Sequence, residues 1–351
     1  MRKSTVYTLV VMVIAAMILP ACGGAATTAA ACKAGLVTDV GKINDGTFNQ
    51  YAYDGLKKAE KDLGIGTKYI ETQAQTDYGK NIQALVDQKC EVIVAVGFMM
   101  GDAIKEASAK FPETKFAIVD FAYDPTIANV RGLVFAEDQA GYMAGALAAS
   151  MSQSGTIAAV GGIEIPPVQK FLKGYEAGAK SIKADIAVKT VYIDSFTDRA
   201  RGAEAAKSFM AEGADVIFGA GGQTGSGGIA AAAEAGAFVI GVDQDEFVTT
   251  FQNGAAPGSD KIISSAMKRV DQAVFLTIKD VVDGKFTPGV SVYDASNGGI
   301  GLASFNKADG SISAEVKAKM EEIRAKRRRT TPSSQGDAAA SAAPSGGGSG
   351  A

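Results

Sequence analysis

Short apolar runs alternate with amphipathic helical segments along most of the chain. A short apolar run fits a buried strand, and apolar positions that recur every three or four residues fit a helix packed on a sheet. In the first half the runs fall at residues 36–38, 69–70, 92–96 and 116–119, with helical patterns at residues 49–63, 79–86 and 103–110. Strands that alternate with helices build a parallel sheet with helices on both faces. The pattern therefore predicts an α/β protein with doubly wound sheets.

The order of these elements recurs in the second half of the chain. The apolar strand that begins at Val92 is followed 28 positions later by Asp120, and the one that begins at Val216 is followed 27 positions later by Asp243. Two intervals that agree within one residue indicate an internal repeat, although an independent doubly wound domain would give the same spacing. We therefore expect two similar lobes with a cleft between them.

A further strand, helix and strand follow the repeat, at residues 261–266, 267–282 and 290–293. Such a piece lets the chain cross between the lobes several times, and several crossings form a hinge. We predict crossings near residues 133–137, 247–264 and 287–293. The first lobe then combines residues 33–134 and 264–288, and the second lobe combines residues 135–263 and 289–325.

The chain begins with the features of an export signal. Arg2 and Lys3 precede an apolar run of about 14 residues at positions 6–19. This run is shorter than the roughly 20 residues of a membrane-spanning helix, so residues 1–21 are predicted to be a cleaved signal peptide.

The end of this signal has a second feature. The segment Leu19-Pro20-Ala21-Cys22 resembles the lipobox of bacterial lipoproteins, which implies lipid attachment at Cys22. The alternative is a free cysteine after an ordinary signal peptide. With the lipid, residues 22–32 form a flexible tether that anchors the protein to the cell membrane on its extracytoplasmic face.

The composition limits the possible partners and activities. Without Arg2 and Lys3 the chain has 33 basic and 38 acidic residues, and this balance argues against nucleic acid or an anionic lipid surface as the main partner. The sequence contains no histidine, which removes the commonest general base and the usual zinc sites. No Gly-Lys pair is followed by Ser or Thr, so a phosphate-binding P-loop is absent. We expect a protein with no catalytic residues, cofactor or metal.

The last residues have a different composition from the rest. Residues 326–329 are Lys-Arg-Arg-Arg, which fits a solvated helix end, and residues 330–351 consist mainly of Ser, Ala, Gly and Pro. Such a segment has little apolar surface to bury. We therefore predict a disordered tail over residues 326–351.

Two thiols remain in the exported chain besides Cys22. Cys32 lies seven residues before Asp39, and Cys90 lies seven residues before Gly97, so both precede comparable strand ends. If the first and third strands are neighbours, as a doubly wound order expects, the two sulfurs lie at the same edge of the sheet. The extracytoplasmic side permits disulfides, so we predict a Cys32–Cys90 bond, with two buried free thiols as the alternative.

Three aspartates follow predicted strands: Asp39, Asp120 and Asp243. In open α/β sheets ligands bind beyond the carboxyl ends of the strands. These side chains are therefore expected to converge on the cleft. A single strand-end aspartate can equally cap the next helix, but three together favour a binding site.

The densest group of polar residues at a strand end is segment 39–49. It contains Asp39, Asp45 and Asn49, with Phe48 directly before a helix, and Phe196 follows a strand in the second half. Two rings on facing walls of a cleft could enclose a flat ligand, each stack contributing about 1–3 kcal/mol. Either phenylalanine alone could equally belong to the core.

The segment Asp39-x-Gly41-x-x-x-Asp45-Gly46-Thr47-Phe48-Asn49, with the lipobox before it, resembles the basic membrane protein family of substrate-binding lipoproteins. The resemblance extends from Lys33 to about Phe305 and includes residues 221–225, 241–245 and 264–269. It implies a type I periplasmic-binding-protein fold, with two doubly wound parallel-sheet lobes joined by a multi-strand hinge. It also implies a purine nucleoside receptor that feeds an ABC importer.

The same resemblance implies a set of ligand-binding residues. Phe48 and Phe196 stack on the base, Asn49, Asp45 and Asp120 lie toward the base, and Asp39, Gly222, Asp243 and Lys268 surround the ribose. Ionised aspartates suit this task because ribose hydroxyls and base N–H groups are donors, and charge-assisted hydrogen bonds are about twice as strong as neutral ones. Lys268 then balances the carboxylates, unless it is a solvated lysine on a helix.

Three functions remain open from the sequence. The first is a monomeric receptor for adenosine, guanosine or inosine, with ABC permease subunits as protein partners and membrane contact through the lipid alone. The second is a receptor for a sugar or another small polar solute. The third is a metal-assisted nucleoside hydrolase, because clustered aspartates could hold calcium and activate water.

Overall fold

The structure is a computed structural model that describes residues 31–329, and the first of its two sheets belongs to the first lobe. This sheet contains β1 (Cys32–Val40), β2 (Gly66–Thr72), β3 (Val92–Ala95), β4 (Lys115–Val119), β5 (Val130–Phe135) and β11 (Gly289–Tyr293). The helices of this lobe are α1 (Phe48–Leu63), α2 (Tyr78–Asp87), α3 (Gly101–Lys110) and α8 (Val270–Val282). The strand order is β11-β5-β4-β3-β1-β2, and every neighbouring pair is parallel.

The second sheet belongs to the second lobe. It contains β6 (Thr156–Gly161), β7 (Ala187–Tyr192), β8 (Val216–Ala220), β9 (Phe238–Asp243), β10 (Ile262–Lys268) and β12 (Ile300–Leu302). The helices are α4 (Glu137–Met151), α5 (Pro166–Ile182), α6 (Arg199–Ala211), α7 (Gly222–Glu234) and α9 (Ala314–Arg329). The strand order is β12-β10-β9-β8-β6-β7, and only the short β12 pairs in the antiparallel sense.

The two sheets have the same strand order, element by element. β1 to β5 of the first lobe occupy the positions that β6 to β10 occupy in the second lobe, and each sheet carries one later strand, β11 or β12, at the same edge. The α/β class, the parallel sheets and the two-lobe architecture predicted from the sequence are confirmed. Asp120 and Asp243, from which the repeat was inferred, lie at the ends of equivalent strands: Asp120 directly follows β4, and Asp243 is the last residue of β9.

The strands form because their apolar runs are buried on both faces. All four residues of β3 and all five of β8 are buried, as expected for parallel strands covered by helices on both sides. Helix α1 buries one stripe, Ala52, Leu56 and Ala59, against its sheet. It ends at Gly64, whose φ of 64° suits glycine at a helix C-terminus.

Two helices of the second lobe pack unusually closely and fix one wall of the cleft. Gly145 of α4 lies where a Cβ would be 1.8 Å from the carbonyl oxygen of Tyr175, and Gly178 of α5 lies where it would be 1.9 Å from that of Tyr142. Only glycine permits backbones to approach so closely. This contact fixes α5, whose first residues face the cleft.

The chain crosses between the lobes three times, but two of the crossings differ from the prediction. The first lies at Ala136, between β5 and α4, inside the predicted interval. The second was predicted within residues 247–264 and lies instead at Arg269, because β10 pairs with β9 and so belongs to the second sheet. The third lies after β11 rather than at residues 287–293, since β11 pairs with β5 of the first sheet. The first lobe therefore contains β11 and lacks β10, which is the reverse of the predicted assignment of these two strands.

The crossing segments are joined by backbone hydrogen bonds. The N–H of Ala136 donates to the carbonyl of Tyr293 at 2.9 Å, and the N–H of Arg269 donates to that of Gly299 at 2.8 Å. The three segments therefore form one connected hinge.

Cys32 and Cys90 are joined by a disulfide, with their Cα atoms 4.5 Å apart. The pairing follows from the sheet order, since β1 and β3 are neighbours. At the other end, Lys326 and the three arginines after it continue helix α9 to Arg329, so the predicted tail does not begin at residue 326. The signal peptide, the tether up to residue 30, lipidation at Cys22 and the tail over residues 330–351 lie outside the described residues. Within residues 31–329, no helix is both long and apolar enough to cross a membrane.

Candidate functional site

A cavity lies between the carboxyl ends of the two sheets. It encloses about 670 Å³ of space free of protein atoms, including its open mouth. All nine residues that the sequence analysis selected line it: Asp39, Asp45, Phe48, Asn49, Asp120, Phe196, Gly222, Asp243 and Lys268. Four more apolar side chains complete one wall: Ile165, Pro167, Val168 and Phe171, from the start of α5.

The polar segment before α1 is organised by its own backbone. The carboxylate of Asp45 accepts hydrogen bonds from the N–H groups of Thr47, Asn49 and Gln50 at 2.9–3.0 Å. These are free N–H groups at the start of a helix, which a carboxylate satisfies and stabilises. Burial raises the pKa of Asp45, and these bonds oppose the shift. Asp45 therefore fixes the start of α1, where Phe48 and Asn49 face the cavity.

Asp39 is held at the end of β1 from three sides. Its backbone N–H donates to the Oδ1 atom of Asn49 at 3.0 Å, its carboxylate accepts from the hydroxyl of Tyr78, and Gly97 lies so close that a Cβ there would be 2.6 Å from Oδ2. Burial raises the pKa of Asp39 to about 6, although the bonds from Tyr78 and from the N–H of Val40 act in the opposite direction.

A buried ion cluster crosses from one lobe to the other. The ammonium group of Lys268, at the end of β10, lies 2.7 Å from the carboxylate of Asp120, which follows β4, and 3.0 Å from Oε1 of Glu137. Burial opposes the charge of Lys268, but Asp120, Glu137 and Asp243 more than offset it and raise the pKa of the lysine. Lys268 is thus a charged, buried cation rather than the solvated helix residue of the alternative.

The two strand-end aspartates adopt the same backbone conformation. Asp120 has a φ of 69° and Asp243 a φ of 65°, in the left-handed region that aspartate tolerates better than most residues. Burial raises the pKa of Asp120 to about 6, which Lys268 opposes and Glu137 reinforces. Burial also raises the pKa of Asp243 to about 7, again opposed by Lys268. No hydrogen bond from residues 31–329 reaches the Asp243 carboxylate, so its oxygens are available as acceptors.

The ring of Phe196 lies on glycine backbone in the second lobe. A Cβ at Gly162 would be 2.3 Å from two ring carbons, and a Cβ at Gly222 would be 3.0 Å from the carbonyl oxygen of Phe196. Gly222 also has a φ of 57°. Glycine at these two positions therefore lets the backbone, the ring and the cavity come close together. Across the cavity, Phe48 lies beside Lys268, with the ammonium 5.3 Å from the ring centre.

The lobes also touch at the rim of the cavity. The hydroxyl of Thr249 donates to the carbonyl of Gly46 at 2.7 Å, and Nε2 of Gln244 donates to the carbonyl of Thr47 at 3.2 Å. These bonds join the segment before α1 to the segment after β9. The carbonyls that accept them belong to the turn that Asp45 organises.

Sequence reasoning missed several residues that shape the site. Tyr78 and Glu137 act on the selected residues from behind, and Phe171 contributes to the wall. For Glu137 the sequence offered one signal, its position at the predicted first crossing between the lobes. Nothing in the local pattern of Tyr78 or Phe171 distinguishes them from core residues.

Comparisons with known proteins agree with this architecture. Residues 32–331 match the family described as ABC transporter substrate-binding protein PnrA-like. The chain is 33% identical over 308 residues to the ABC transporter nucleoside-binding protein BmpA of Lactococcus lactis subsp. cremoris, an alignment that covers 84% of this chain and 88% of the relative. It is 32% identical over 300 residues to basic membrane protein A of Borreliella burgdorferi, covering 84% and 85%.

Among solved structures, an ABC transporter system solute-binding protein from Aeropyrum pernix superposes with a TM-score of 0.77 at 26% identity, covering 85% of this chain and 91% of that one. The family match extends over nearly all of the described residues, and family members are solute-binding components of ABC transporters rather than enzymes. The nucleoside hydrolase alternative is thereby removed. The chain belongs to the PnrA-like family of ABC transporter substrate-binding proteins.

Proposed function

We propose that this protein is an extracytoplasmic lipoprotein that binds a purine nucleoside in the cavity between its lobes and delivers it to an ABC permease. The observation that carries the proposal is the meeting of two kinds of side chain in one cavity. Phe48 of the first lobe and Phe196 of the second line the same space as the carboxylates of Asp39, Asp120 and Asp243. A nucleoside combines a flat base with hydrogen-bond donors, and this combination fits that lining.

The proposed roles follow from the chemistry of each group. Phe48 and Phe196 stack on the base, as successive aromatic contacts do in other nucleobase sites. Asn49 and Asp120 contact the base edge together with Asp45, whose first task is to fix the start of α1. Four residues are assigned to the ribose: Asp39, Gly222, Asp243 and Lys268.

The lipid anchor and the transport partner belong to the same proposal. Cys22 at the end of the lipobox carries the anchor, and the protein acts as a monomer on the outer face of the cell membrane. The relative from Lactococcus lactis is named a nucleoside-binding protein, which supports the choice of ligand. Adenosine, guanosine and inosine are the first candidates, because a two-ring base offers the largest surface to two phenylalanines.

Calorimetric titration tests this proposal. The purified protein is titrated with adenosine, guanosine, inosine, a panel of monosaccharides and a panel of amino acids, and saturable one-to-one binding of a purine nucleoside is expected. If every nucleoside gives no heat and no thermal stabilisation, the proposal is wrong.

The variant Phe48→Ala separates a nucleoside receptor from a sugar receptor. Loss of one stack of about 1–3 kcal/mol lowers nucleoside affinity by about fivefold to 150-fold. A sugar, which has no flat base, loses much less. Leu276→Ala, at an exposed position of α8, is the matched control and leaves binding unchanged.

A further inference from the structure

Glu137 is a buried acidic residue outside the predicted ligand set, and it lies where the chain first enters the second lobe. It is the first residue of α4 and follows directly on the crossing at Ala136. Its side chain is only 1% exposed. It stands at a helix start, where the helix dipole and the free N–H groups attract negative charge.

The partner of Glu137 stands at the next crossing. Lys268 is the last residue of β10 and directly precedes the crossing at Arg269. The Oε1 atom of Glu137 lies 3.0 Å from the Lys268 ammonium, which in turn lies 2.7 Å from Asp120 of the first lobe. One positive charge is therefore divided between a carboxylate that faces the cavity and a carboxylate at the hinge.

The other charged groups around this pair come from two further elements. Lys170 of α5, whose side chain is 37% exposed, lies 3.7 Å from Oε2 of Glu137. Asp243 at the end of β9 also acts on Lys268. Lys268 is consequently the single fully buried cation of the described cluster, and its exact placement decides which carboxylates are neutralised.

We propose that Glu137 is a positioning residue for the binding site: from the hinge it holds the ammonium group of Lys268 in place and limits the share of its positive charge that reaches Asp120. Two consequences follow. Lys268 keeps one fixed orientation toward the cavity. Asp120 remains harder to ionise than it would be if Lys268 interacted with Asp120 and not also with Glu137. Glu137 thereby sets the lower pH limit at which Asp120 can accept a hydrogen bond from a ligand.

The direction of this effect follows from the charges. Burial raises the pKa of Asp120 to about 6, Lys268 lowers it, and the like charge of Glu137 raises it. Replacement of Glu137 by glutamine removes the like charge, while its amide oxygen can still accept from Lys268. The pKa of Asp120 must then fall.

The test compares Glu137→Gln with Asp138→Asn in the full chain. Asp138 is the next residue of α4 but is exposed, so the control removes the same charge from the same helix turn. The protonation of Asp120 is followed by carboxyl carbon NMR in the ligand-free protein, with the signal assigned by Asp120→Asn. We expect the midpoint to fall by about one pH unit in Glu137→Gln and by less than about 0.2 in Asp138→Asn, whose charge is screened by solvent. An unchanged midpoint in Glu137→Gln overturns the proposal.

Ligand binding gives a second measurement, and this part rests on the proposed function. In Glu137→Gln the acid limit of guanosine binding moves to lower pH by the same amount, because the Asp120 carboxylate that accepts from the ligand then ionises at lower pH while the amide oxygen still holds Lys268. A purely structural role would weaken binding equally at every pH, and that result also contradicts the proposal. If the wild-type protein binds no nucleoside, the proposed function is wrong, but the Asp120 titration still decides the role of Glu137.

A third measurement needs no variant at the hinge. In the wild-type protein labelled with ¹⁵N and ¹³C, the Lys268 ammonium should give a slowly exchanging Nζ signal with a scalar coupling across the hydrogen bond to the carboxyl carbon of Glu137. If Glu137→Gln fails to fold, this coupling decides, and its absence beside a visible Lys268 signal overturns the proposal.

Discussion

The two lobes use different chemistry to join the starts of two equivalent neighbouring strands, which we call the corner of each lobe. In the first lobe the disulfide between Cys32 and Cys90 joins the chain segments at the starts of β1 and β3. In the second lobe, where β6 and β8 start, the carboxylate of Asp215 accepts hydrogen bonds from the N–H groups of Gln153 at 2.7 Å and Ser154 at 2.8 Å. In both lobes a link joins the chain segments at the starts of the two equivalent strands. The link is a disulfide in the first lobe and a set of hydrogen bonds in the second.

The lobes also bring different groups to the cavity. The first lobe contributes mainly acceptors, Asp39 and Asp120, held by a layer of hydrogen bonds behind them. The second lobe contributes mainly shape, with Phe171 and Phe196 beside glycine backbone. The division is one of emphasis, because the first lobe also brings the ring of Phe48 and the second lobe also brings the carboxylate of Asp243. The ion pair between Asp120 and Lys268 links the two sides.

Breaking that link should have the largest effect on the molecule. Lys268→Met leaves three buried carboxyl groups, Asp120, Glu137 and Asp243, without their shared cation, and removing one partner of a buried ion pair typically lowers the free energy of unfolding by about 3–5 kcal/mol. Lys170→Met, which removes a partly exposed cation 3.7 Å from Glu137, should lower it by less than about 1 kcal/mol. Urea unfolding measures both. Equal losses in the two variants would contradict a central role for Lys268.

The comparison of the two corners gives the next largest effect. The double variant Cys32→Ser, Cys90→Ser opens a link that spans 58 positions, which should lower the free energy of unfolding by about 2–4 kcal/mol. Asp215→Asn keeps one acceptor for two exposed N–H groups and should lower it by about 1 kcal/mol. Thermal unfolding under oxidising conditions measures both variants. A larger loss at Asp215 would reverse the ranking of the two corners.

The architecture was readable from the sequence because it depends on periodicity and repetition. The runs at β3 and β8, and the recurrence of Asp120 as Asp243, gave the two sheets and the strand ends that meet at the cavity. The second crossing was predicted too early, because an apolar strand such as β10 looks the same in either sheet. Its membership is decided by pairing with β9, which no local pattern encodes.

The supporting contacts of the site were less accessible for the same reason. Tyr78 reaches Asp39 across 39 positions, and Lys268 reaches Asp120 across 148. Sequence spacing does not reveal such contacts, although all nine residues selected from the sequence do line the cavity. The sequence indicates well which residue type stands at a strand end. It does not indicate which distant side chain holds that residue in place.

The proposed stacking role of Phe196 can be tested without substituting an aromatic residue. Gly162→Ala adds a Cβ 2.3 Å from two carbons of Phe196, so the ring must move toward the cavity and lose its stacking position. Nucleoside affinity should fall by about thirtyfold, close to the loss of one stack. Gly301→Ala, in β12, adds a Cβ that meets nothing within 4 Å and serves as the control. Calorimetry distinguishes the two, and unchanged affinity in Gly162→Ala would exclude Phe196 as a stacking residue.

The smallest expected effect is the dependence of nucleoside affinity on pH. It allows an acceptor of the first lobe, Asp39, to be compared with one of the second lobe, Asp243. Burial raises the pKa of Asp39 to about 6 and that of Asp243 to about 7. Because the folded-state values are raised, the stability that these groups give to the ligand-free protein is complete below about pH 4 and is lost as the pH rises through 6 and 7. Nucleoside donors need the ionised form, so binding has the opposite dependence: it releases protons and strengthens as the pH rises.

Titrations at pH 5.5, 6.5 and 8 measure this dependence lobe by lobe. An acceptor with a pKa near 6 contributes about fourfold to the change in affinity between the lowest and the highest of these values. Asp39→Asn should remove that factor and leave the rise above pH 6.5, whereas Asp243→Asn should remove the rise above pH 6.5 and about eightfold of the rise between pH 5.5 and 6.5. Heats measured in two buffers of different ionisation enthalpy count the protons released. If both variants keep the full wild-type profile, neither aspartate accepts a hydrogen bond from the ligand, and the side-chain acceptors left from the proposed set are Asp45, Asn49 and Asp120.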